Sequence, residues 1–198
     1  MNKVRLALFA SGTGSNVMSI LDYFKDHQHV EIVFVLTNNP QALVVEKAQA
    51  FGVRIDVLSN EIVENGNILS TICEAAAIDY VILAGYLRKI PADFIHNYPQ
   101  KIINIHPSLL PKFGGKGMYG DNVHKAVLAE SEVETGITIH FVNEEFDKGE
   151  LIAQFSCSLA ADENLATLKE KIHALEQLNF PKVIEKTVLF KRNVSYVR

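Results

Sequence analysis

Short apolar runs alternate with helical patterns through the first half of the chain, and this alternation limits the possible folds more than any other feature of the sequence. The run Val4–Ala10 lacks polar alternation, which is typical of a strand buried on both faces of a parallel sheet. A glycine-containing turn follows it. Apolar residues then recur at helical spacing at Val17, Ile20, Leu21 and Phe24. The first unit is therefore predicted to be strand, tight loop and helix.

The same unit repeats along the chain. Further strands are predicted at Val30–Thr37, Val53–Leu58, Tyr80–Ala84 and Ile102–Ile105. One intervening helix is expected to start at the Asn39-Pro40 cap, to turn Leu43 inward and to end at Gly52. Another has the apolar stripe Leu69, Ile72, Cys73 and Ala76. Strands that alternate with helices predict a doubly wound, mostly parallel α/β sheet.

The pattern in the second half of the sequence predicts an antiparallel extension of this sheet. Two strands, Thr138–Val142 and Leu151–Ser158, are joined by a polar turn of hairpin-loop length. Before them, the glycine-rich segment Lys112–Gly120 is a candidate lid, followed by a helix near Asn122–Ala129. A last helical stripe begins after Asn164, and Pro181 is expected to kink or end that helix.

Composition excludes several classes of protein. The 198 residues, 48% of them hydrophobic, show no repeat or linker, so one domain is expected over 1–198, with a basic tail at about 191–198. A net charge of −4 argues against nucleic acid as a partner. No apolar run approaches the roughly 20 residues of a membrane span. Cys73 and Cys157 suit a reducing, cytoplasmic location. Nothing indicates an oligomeric state.

The first candidate site is the loop Gly12-Thr13-Gly14-Ser15-Asn16, between a strand and a helix N-terminus. Free backbone N–H groups and the helix dipole favour a phosphate there. The loop has neither the lysine of a Walker A motif nor the third glycine of the dinucleotide fingerprint. An ordinary glycine turn is the alternative interpretation.

The second candidate site is the segment Asn104-Ile105-His106-Pro107-Ser108-Leu109-Leu110-Pro111, at the carboxyl end of a predicted central strand. Open α/β sheets bind their ligands at this edge. Strand alternation places the side chains of Asn104 and His106 on the same side, so an amide and an imidazole point together to the crevice. A lone histidine at a strand end is also often structural.

The third candidate is Asp147, in a turn that Gly149 helps to close. Such an acidic residue often only caps the backbone. If Asp147 folds back to His106, its charge would instead favour the protonated imidazole. His140, on a predicted strand, is either a neighbour of this pair or a core histidine. We expect His27, His29, His96 and His124 at the surface, and the histidine spacings indicate no metal site.

With these three segments in this order, the chain resembles the formyltransferases that use 10-formyltetrahydrofolate, over essentially its whole length to about Phe190. Asn104–Pro111 reproduces the Asn-x-His-Pro-Ser-Leu-Leu-Pro segment of that family without a mismatch. The Gly-x-Gly-Ser-Asn loop and the short length are similar to the branch that acts on glycinamide ribonucleotide. The resemblance implies transfer of the donor's formyl group to the amine of this small molecule, in de novo purine biosynthesis.

The resemblance also implies roles for individual residues. Asn104 and His106 would be catalytic, and Asp147 would tune His106. The acceptor would be bound by Gly12, Thr13, Gly14, Ser15, Asn16 and Glu176, with the glutamate on the ribose hydroxyls. The folate would be bound by Leu87, Arg88, Lys89 and Ile90, chiefly through the backbone, and by Asn104.

The sequence departs from the family pattern in two places, and it leaves two alternative functions possible. Gly114–Gly120 is longer and richer in glycine than the mobile loop of well-known members. Some members place a basic residue near the folate glutamate tail, before the helix at Asn67–Ala76, and Ser59–Gly66 has no clear counterpart of it. One rival is a formyltransferase for another amine, such as an amino sugar nucleotide. The other is a non-catalytic nucleotide-binding module with a structural His106.

Overall fold

The computed structural model describes residues 3–195, and within them seven strands form one sheet in the order β3-β2-β1-β4-β5-β6-β7. The strands are β1 (Val4–Phe9), β2 (Val30–Thr37), β3 (Arg54–Val57), β4 (Tyr80–Leu83), β5 (Ile102–His106), β6 (Glu134–Phe141) and β7 (Leu151–Ser158). The helices are α1 (Ser15–Phe24), α2 (Val44–Phe51), α3 (Asn60–Val63), α4 (Gly66–Ala75), α5 (Ala92–Asn97), α6 (Asp121–Ala129) and α7 (Leu165–Ser195). The predicted basic tail at about 191–198 lies outside the residues whose side chains are described.

The pairing of the strands confirms the predicted fold class. β1 to β5 pair in parallel, whereas β5 with β6 and β6 with β7 pair antiparallel. The chain winds from β1 outward to β3 and then returns to β4 on the other side of β1. The carboxyl ends of β1 and β4 therefore mark a switch point, where the loops diverge and leave a crevice.

Helices cover both faces of the sheet. One apolar core contains buried residues of α1, α2, α6 and α7, among them Val17, Val44, Val127 and Phe180. The core on the other face contains residues of α3, α4 and α5, including Leu69 and Phe94. No helix in the described part of the chain is both long enough and apolar enough to cross a membrane.

Two predicted boundaries were wrong, and one helix was not predicted. α2 begins at Val44 and not at the proline cap, because Asn39 forms a turn in which its side chain accepts the N–H of Gln41 at 3.0 Å. Leu43, which was expected to face inward, is 54% exposed. β6 begins at Glu134, four residues before the predicted start, because antiparallel pairing with β7 extends to Ser158. α3, capped by Ser59, was not predicted.

The prediction that Pro181 could end the last helix was also wrong, since α7 continues to Ser195. A proline cannot donate to the carbonyl four residues earlier. In this helix that carbonyl belongs to Gln177, and the Ser19 hydroxyl donates to it at 3.2 Å. Fully buried Phe180 and Ile184 hold this part of the helix against the sheet. Tertiary contacts therefore compensate for the lost backbone bond.

A polar cluster at the far end of α1 joins that helix to α7. The Tyr23 hydroxyl donates to one oxygen of Glu185 at 2.5 Å. The backbone N–H groups of His29 and Val30 donate to Nδ1 of His27, so its Nε2 carries the proton and donates to the other oxygen at 3.0 Å. The hydrogen bonds from Tyr23, which has the larger effect, and from His27 lower the pKa of Glu185.

We expect Glu185→Ala to lower the free energy of unfolding by about 1–2 kcal/mol, because it leaves two donors without their acceptor. Urea denaturation at pH 7 measures this loss. The control is Glu74→Ala, on the exposed side of α4, which should change the unfolding free energy by less than about 0.5 kcal/mol. Equal losses in the two variants would show that the cluster contributes nothing specific.

Candidate functional site

A cavity of about 730 Å³ opens at the carboxyl ends of β1, β4 and β5. It lies at the switch point that the strand order predicts. Its volume falls in the usual range for small-molecule sites. Every site residue predicted from the sequence lines it: Gly12, Thr13, Gly14, Ser15, Asn16, Leu87, Arg88, Lys89, Ile90, Asn104, His106, His140, Asp147 and Glu176.

The N-terminus of α1 faces this cavity. Gly14 is its N-cap, in the left-handed region at φ 72°, and no side chain caps the helix. A Cβ on Gly14 would lie 2.6 Å from Cγ2 of Val44, so both conformation and space require glycine. The first-turn N–H groups thus lack a side-chain acceptor, which makes this helix end suited to an anion.

Two side chains of α7 contact the start of α1. Nε2 of His173 lies 3.2 Å from the Ser15 hydroxyl, and the Asn16 amide donates to Glu176 at 2.9 Å. Burial raises the pKa of Glu176 to about 7, although the hydrogen bond from Asn16 opposes the rise. The site therefore contains a buried carboxyl group whose charge changes near neutral pH.

The Asn104 amide is oriented by a histidine on the neighbouring strand. Asn104 lies directly opposite His140 in the β5–β6 pair. The Phe141 carbonyl can only accept, so Nδ1 of His140, 2.9 Å away, carries a proton. Burial lowers the pKa of His140, and the neutral ring then accepts the Asn104 amide at Nε2, 3.2 Å away. The second amide hydrogen has no partner among residues 3–195 and is available to a ligand.

His106 is buried between two acceptors. Its Nε2 lies 2.8 Å from the Phe113 carbonyl, and its Nδ1 lies 3.6 Å from Oδ1 of Asp147. A ring with protons on both nitrogens satisfies both contacts. Nδ1 is the ring nitrogen beside the carboxylate, so the expected approach of Asp147 to His106 is observed as an ion-pair contact.

Two backbone features hold Asp147 in place. The Gly115 N–H, in the glycine-rich segment, donates to Oδ2 of Asp147 at 2.9 Å. Gly149 lets the hairpin fold back, because a Cβ there would lie 1.6 Å from the Phe141 carbonyl oxygen. The glycine-rich segment therefore contacts both His106, through Phe113, and Asp147.

The segment after β4, which includes Gly85 and Leu87, lies beside the glycine-containing loop between β1 and α1. The Ser11 N–H donates to the Gly85 carbonyl at 3.0 Å, and the Leu87 N–H donates to the Ser11 hydroxyl at 3.1 Å. The Leu87 N–H is therefore already satisfied inside the protein. Arg88 pairs with Glu64 at the rim of the cavity.

The sequence did not predict Lys169 as a cavity residue, and the expectation for His124 was wrong. His124 is 8% exposed and not at the surface, because it lies on the same face of α6 as buried Val123 and Val127. Burial chiefly lowers the pKa of His124. Lys169 lines the cavity one turn before His173 and pairs with Asp121 at 2.7 Å. The spacing of Lys169, His173 and Glu176 on one helical face was the available signal.

The chemistry of these groups points to acyl transfer. The Asn104 amide and the His106 ring converge beside a carboxylate, and two donors of this kind can stabilise an oxyanion. In the described part of the chain, no three His, Cys, Asp or Glu side chains are grouped so that they could hold a metal ion. The formyl transferase family model matches residues 4–184, so the chain belongs to that family.

Curated proteins and solved structures match the chain over most of its length. It is 38% identical over 174 residues, 85% of the chain, to the chloroplastic phosphoribosylglycinamide formyltransferase of Arabidopsis thaliana. It is 31% identical over 188 residues, 92% of the chain, to the trifunctional purine biosynthetic protein adenosine-3 of Homo sapiens. It spans only 60% of the plant protein and 18% of the human one.

Among solved structures, phosphoribosylglycinamide formyltransferase from Bacillus halodurans matches with a TM-score of 0.84 and 32% identity, over 93% of this chain and 95% of that one. Glycinamide ribonucleotide transformylase 1 from Geobacillus kaustophilus matches with a TM-score of 0.83 and 34% identity, over 92% of this chain and 97% of that one. These matches share the fold and nearly the full extent of the chain.

The raised pKa of Glu176 predicts a stability that depends on pH. Because the folded protein holds this proton more tightly than the unfolded chain, stability falls as pH rises from about 4.5 to about 7. Glu176→Gln removes this effect. We expect its unfolding free energy, relative to wild type, to rise by roughly 2–3 kcal/mol between pH 5 and pH 8.

Urea denaturation of the ligand-free proteins at both pH values measures this difference. Glu170→Gln is the matched control on an exposed position of the same helix, and its difference from wild type should stay constant with pH. A constant difference for Glu176→Gln as well would show that Glu176 titrates normally in the folded protein.

Proposed function

We propose that the protein is a phosphoribosylglycinamide formyltransferase, which transfers the formyl group of 10-formyltetrahydrofolate to the amine of glycinamide ribonucleotide in purine biosynthesis. The observation that carries the proposal is the convergence of Asn104, His106 and Asp147 in a cavity that also contains a free helix N-terminus. Membership of the formyl transferase family and the names of the relatives support it. Both cysteines are free thiols, which supports the predicted cytoplasmic location.

The acceptor phosphate would bind at the start of α1. The N–H groups that follow Gly14 supply donors, and the helix dipole adds a favourable field. His173 and Lys169, one turn apart on α7, would approach the same anion from the other side of the cavity. In this proposal the carboxylate of Glu176 accepts hydrogen bonds from the ribose hydroxyls.

The folate would bind along the segment after β4. Leu87–Ile90 and Asn104 line the same cavity as the acceptor loop, so a donor on this segment can present its formyl group next to the catalytic groups. The Leu87 N–H is already bonded to Ser11, so the segment would recognise the pterin through its other backbone groups.

The reaction would proceed by direct attack of the neutral substrate amine on the formyl carbon. The carbonyl oxygen becomes an oxyanion, and the free amide hydrogen of Asn104 and the Nδ1–H of His106 donate to it. A donor of this type contributes about 3 kcal/mol to the transition state. His140 keeps the Asn104 nitrogen, and not its oxygen, aimed at the reacting carbonyl.

Asp147 would serve the proton transfer. Its Oδ1 lies 3.6 Å from Nδ1 of His106 and 3.8 Å from Nε2 of His140. A carboxylate at this position can accept the proton that the attacking amine loses. The leaving folate nitrogen then takes up a proton, which leaves formylglycinamide ribonucleotide and tetrahydrofolate.

A spectrophotometric assay with glycinamide ribonucleotide and a formyl-folate tests the proposed function. Turnover should require both substrates, and His106→Ala should lower kcat about 100-fold or more, since it removes an oxyanion donor. Formyl loss without the ribonucleotide would indicate a hydrolase or another acceptor. Unchanged turnover in a folded His106→Ala variant would contradict the role of His106.

Asp147→Asn keeps the size and the Gly115 contact of the side chain but removes its charge. We expect kcat to fall about 100-fold or more, as for loss of a general base, while KM for either substrate changes little. Steady-state kinetics with each substrate varied in turn separates the two effects. A variant with normal kcat and a raised KM would show that Asp147 binds substrate and takes no part in proton transfer.

A further inference from the structure

The loop Gly12–Asn16, which is proposed to bind the acceptor phosphate, contacts the first turn of α2. The backbone N–H of Val44 donates to the Gly12 carbonyl at 3.2 Å. One turn later, the Lys47 ammonium group donates to the Thr13 carbonyl at 2.7 Å. Two consecutive carbonyls of the loop are therefore held toward α2.

Helix α2 gives Lys47 a defined position beside the loop. Val44 and Ala48 are fully buried in the core on one face of this helix. Lys47 follows Val44 by three residues, so both lie on the side of α2 that meets the loop. The Lys47 side chain itself is exposed. A substitution at this position therefore changes the contact with Thr13 and leaves the core intact.

The direction of the two carbonyls decides where the N–H groups of the loop point. The Gly12–Thr13 and Thr13–Gly14 peptide bonds are trans, and in a planar trans peptide the C=O and N–H bonds point in opposite directions. The N–H groups of Thr13 and Gly14 therefore point away from α2. Neither has a hydrogen-bond acceptor among residues 3–195, and both residues line the large cavity. Two free backbone donors are thus available there to an anion.

Lys47 also places a positive charge behind these donors. Its partner, the Thr13 carbonyl, is neutral, and no carboxylate pairs with Lys47 among the residues whose side chains are described. Lys47 does not line the cavity, so it lies across the Thr13–Gly14 peptide from a ligand. Its charge polarises that peptide and strengthens the Gly14 N–H as a donor. Lys47 therefore acts on an anion through the loop and not by direct contact.

We propose that Lys47 is a positioning residue for the acceptor, because it holds the Thr13 carbonyl so that the Gly14 N–H faces the phosphate. The catalytic groups proposed above lie on β5 and on the hairpin that follows β6, and Lys47 contacts neither of these elements. Its influence is therefore confined to acceptor binding. The proposal rests on the proposed function, because it assumes a phosphate at the start of α1.

Steady-state kinetics of Lys47→Met tests the proposal. KM for glycinamide ribonucleotide should rise about 5-fold, the scale of one exposed charge interaction, while kcat and KM for the formyl donor stay within about 2-fold of wild type. Lys47→Arg keeps both the charge and a donor, so its acceptor KM should return to near the wild-type value. Lys186→Met is the matched control, because it removes the same charge from an exposed position farther along α7.

Ionic strength provides a second signature. KM for the acceptor should rise with added salt in wild type and less steeply in Lys47→Met, because salt screens the charge that the variant lacks. An unchanged acceptor KM in Lys47→Met, an equal rise in KM for both substrates, or an equal rise in Lys186→Met would overturn the proposal. A Lys47→Arg variant as impaired as Lys47→Met would also overturn it.

Direct binding separates this proposal from the proposed function. Isothermal titration with ribose 5-phosphate needs neither turnover nor the amine of the acceptor. If wild type binds this probe and Lys47→Met binds it about 5-fold more weakly, the role of Lys47 stands even for an enzyme that formylates another phosphorylated amine. If both proteins bind the probe equally, or if wild type does not bind it, the role of Lys47 is wrong even for an enzyme active on glycinamide ribonucleotide.

Discussion

The change from parallel to antiparallel pairing at β5 is the constraint on which the rest of the site depends. β5 pairs in parallel with β4 on one side and antiparallel with β6 on the other. A parallel neighbour would need a crossover helix, whereas the antiparallel neighbour continues into a hairpin. That hairpin brings His140 opposite Asn104 and returns Asp147 over the carboxyl end of β5, beside His106. One strand end therefore collects an amide, an imidazole and a carboxylate from two distant parts of the chain.

Burial sets the charge states of the groups around this centre. It lowers the pKa of His140 and of His124, so both rings are neutral near pH 7. It raises the pKa of Glu176, although that carboxyl group receives a hydrogen bond from Asn16. Neutral imidazole rings at His140 and His124 suit the proposed reaction, because the attacking amine has to be neutral and the new negative charge develops only in the transition state.

The sequence predicted most of the fold and the candidate catalytic residues Asn104, His106 and Asp147, although it missed Lys169. Strand runs, glycine turns and the Asn-x-His-Pro segment are local patterns that can be recognised along the chain. The failures came from contacts between distant segments. Ser19 replaces the bond that Pro181 cannot make, and pairing with β7 extends β6 to Glu134. The acceptor for Nε2 of His106 is the backbone carbonyl of Phe113, and a backbone contact of this kind cannot be predicted from the identity of the residue. His124 was misplaced because a polar side chain favours the surface, whereas its position beside Val123 and Val127 on α6 buries it.

A crystal structure of the protein with glycinamide ribonucleotide and a non-transferable analogue of the formyl donor tests the account most directly. The account predicts the phosphate on the N–H groups at the start of α1. It also predicts the analogue's carbonyl oxygen at about 3 Å from both the Asn104 amide nitrogen and Nδ1 of His106. A carbonyl oxygen bound away from these two nitrogens, with Asp147 unengaged, would contradict the proposed site of formyl transfer.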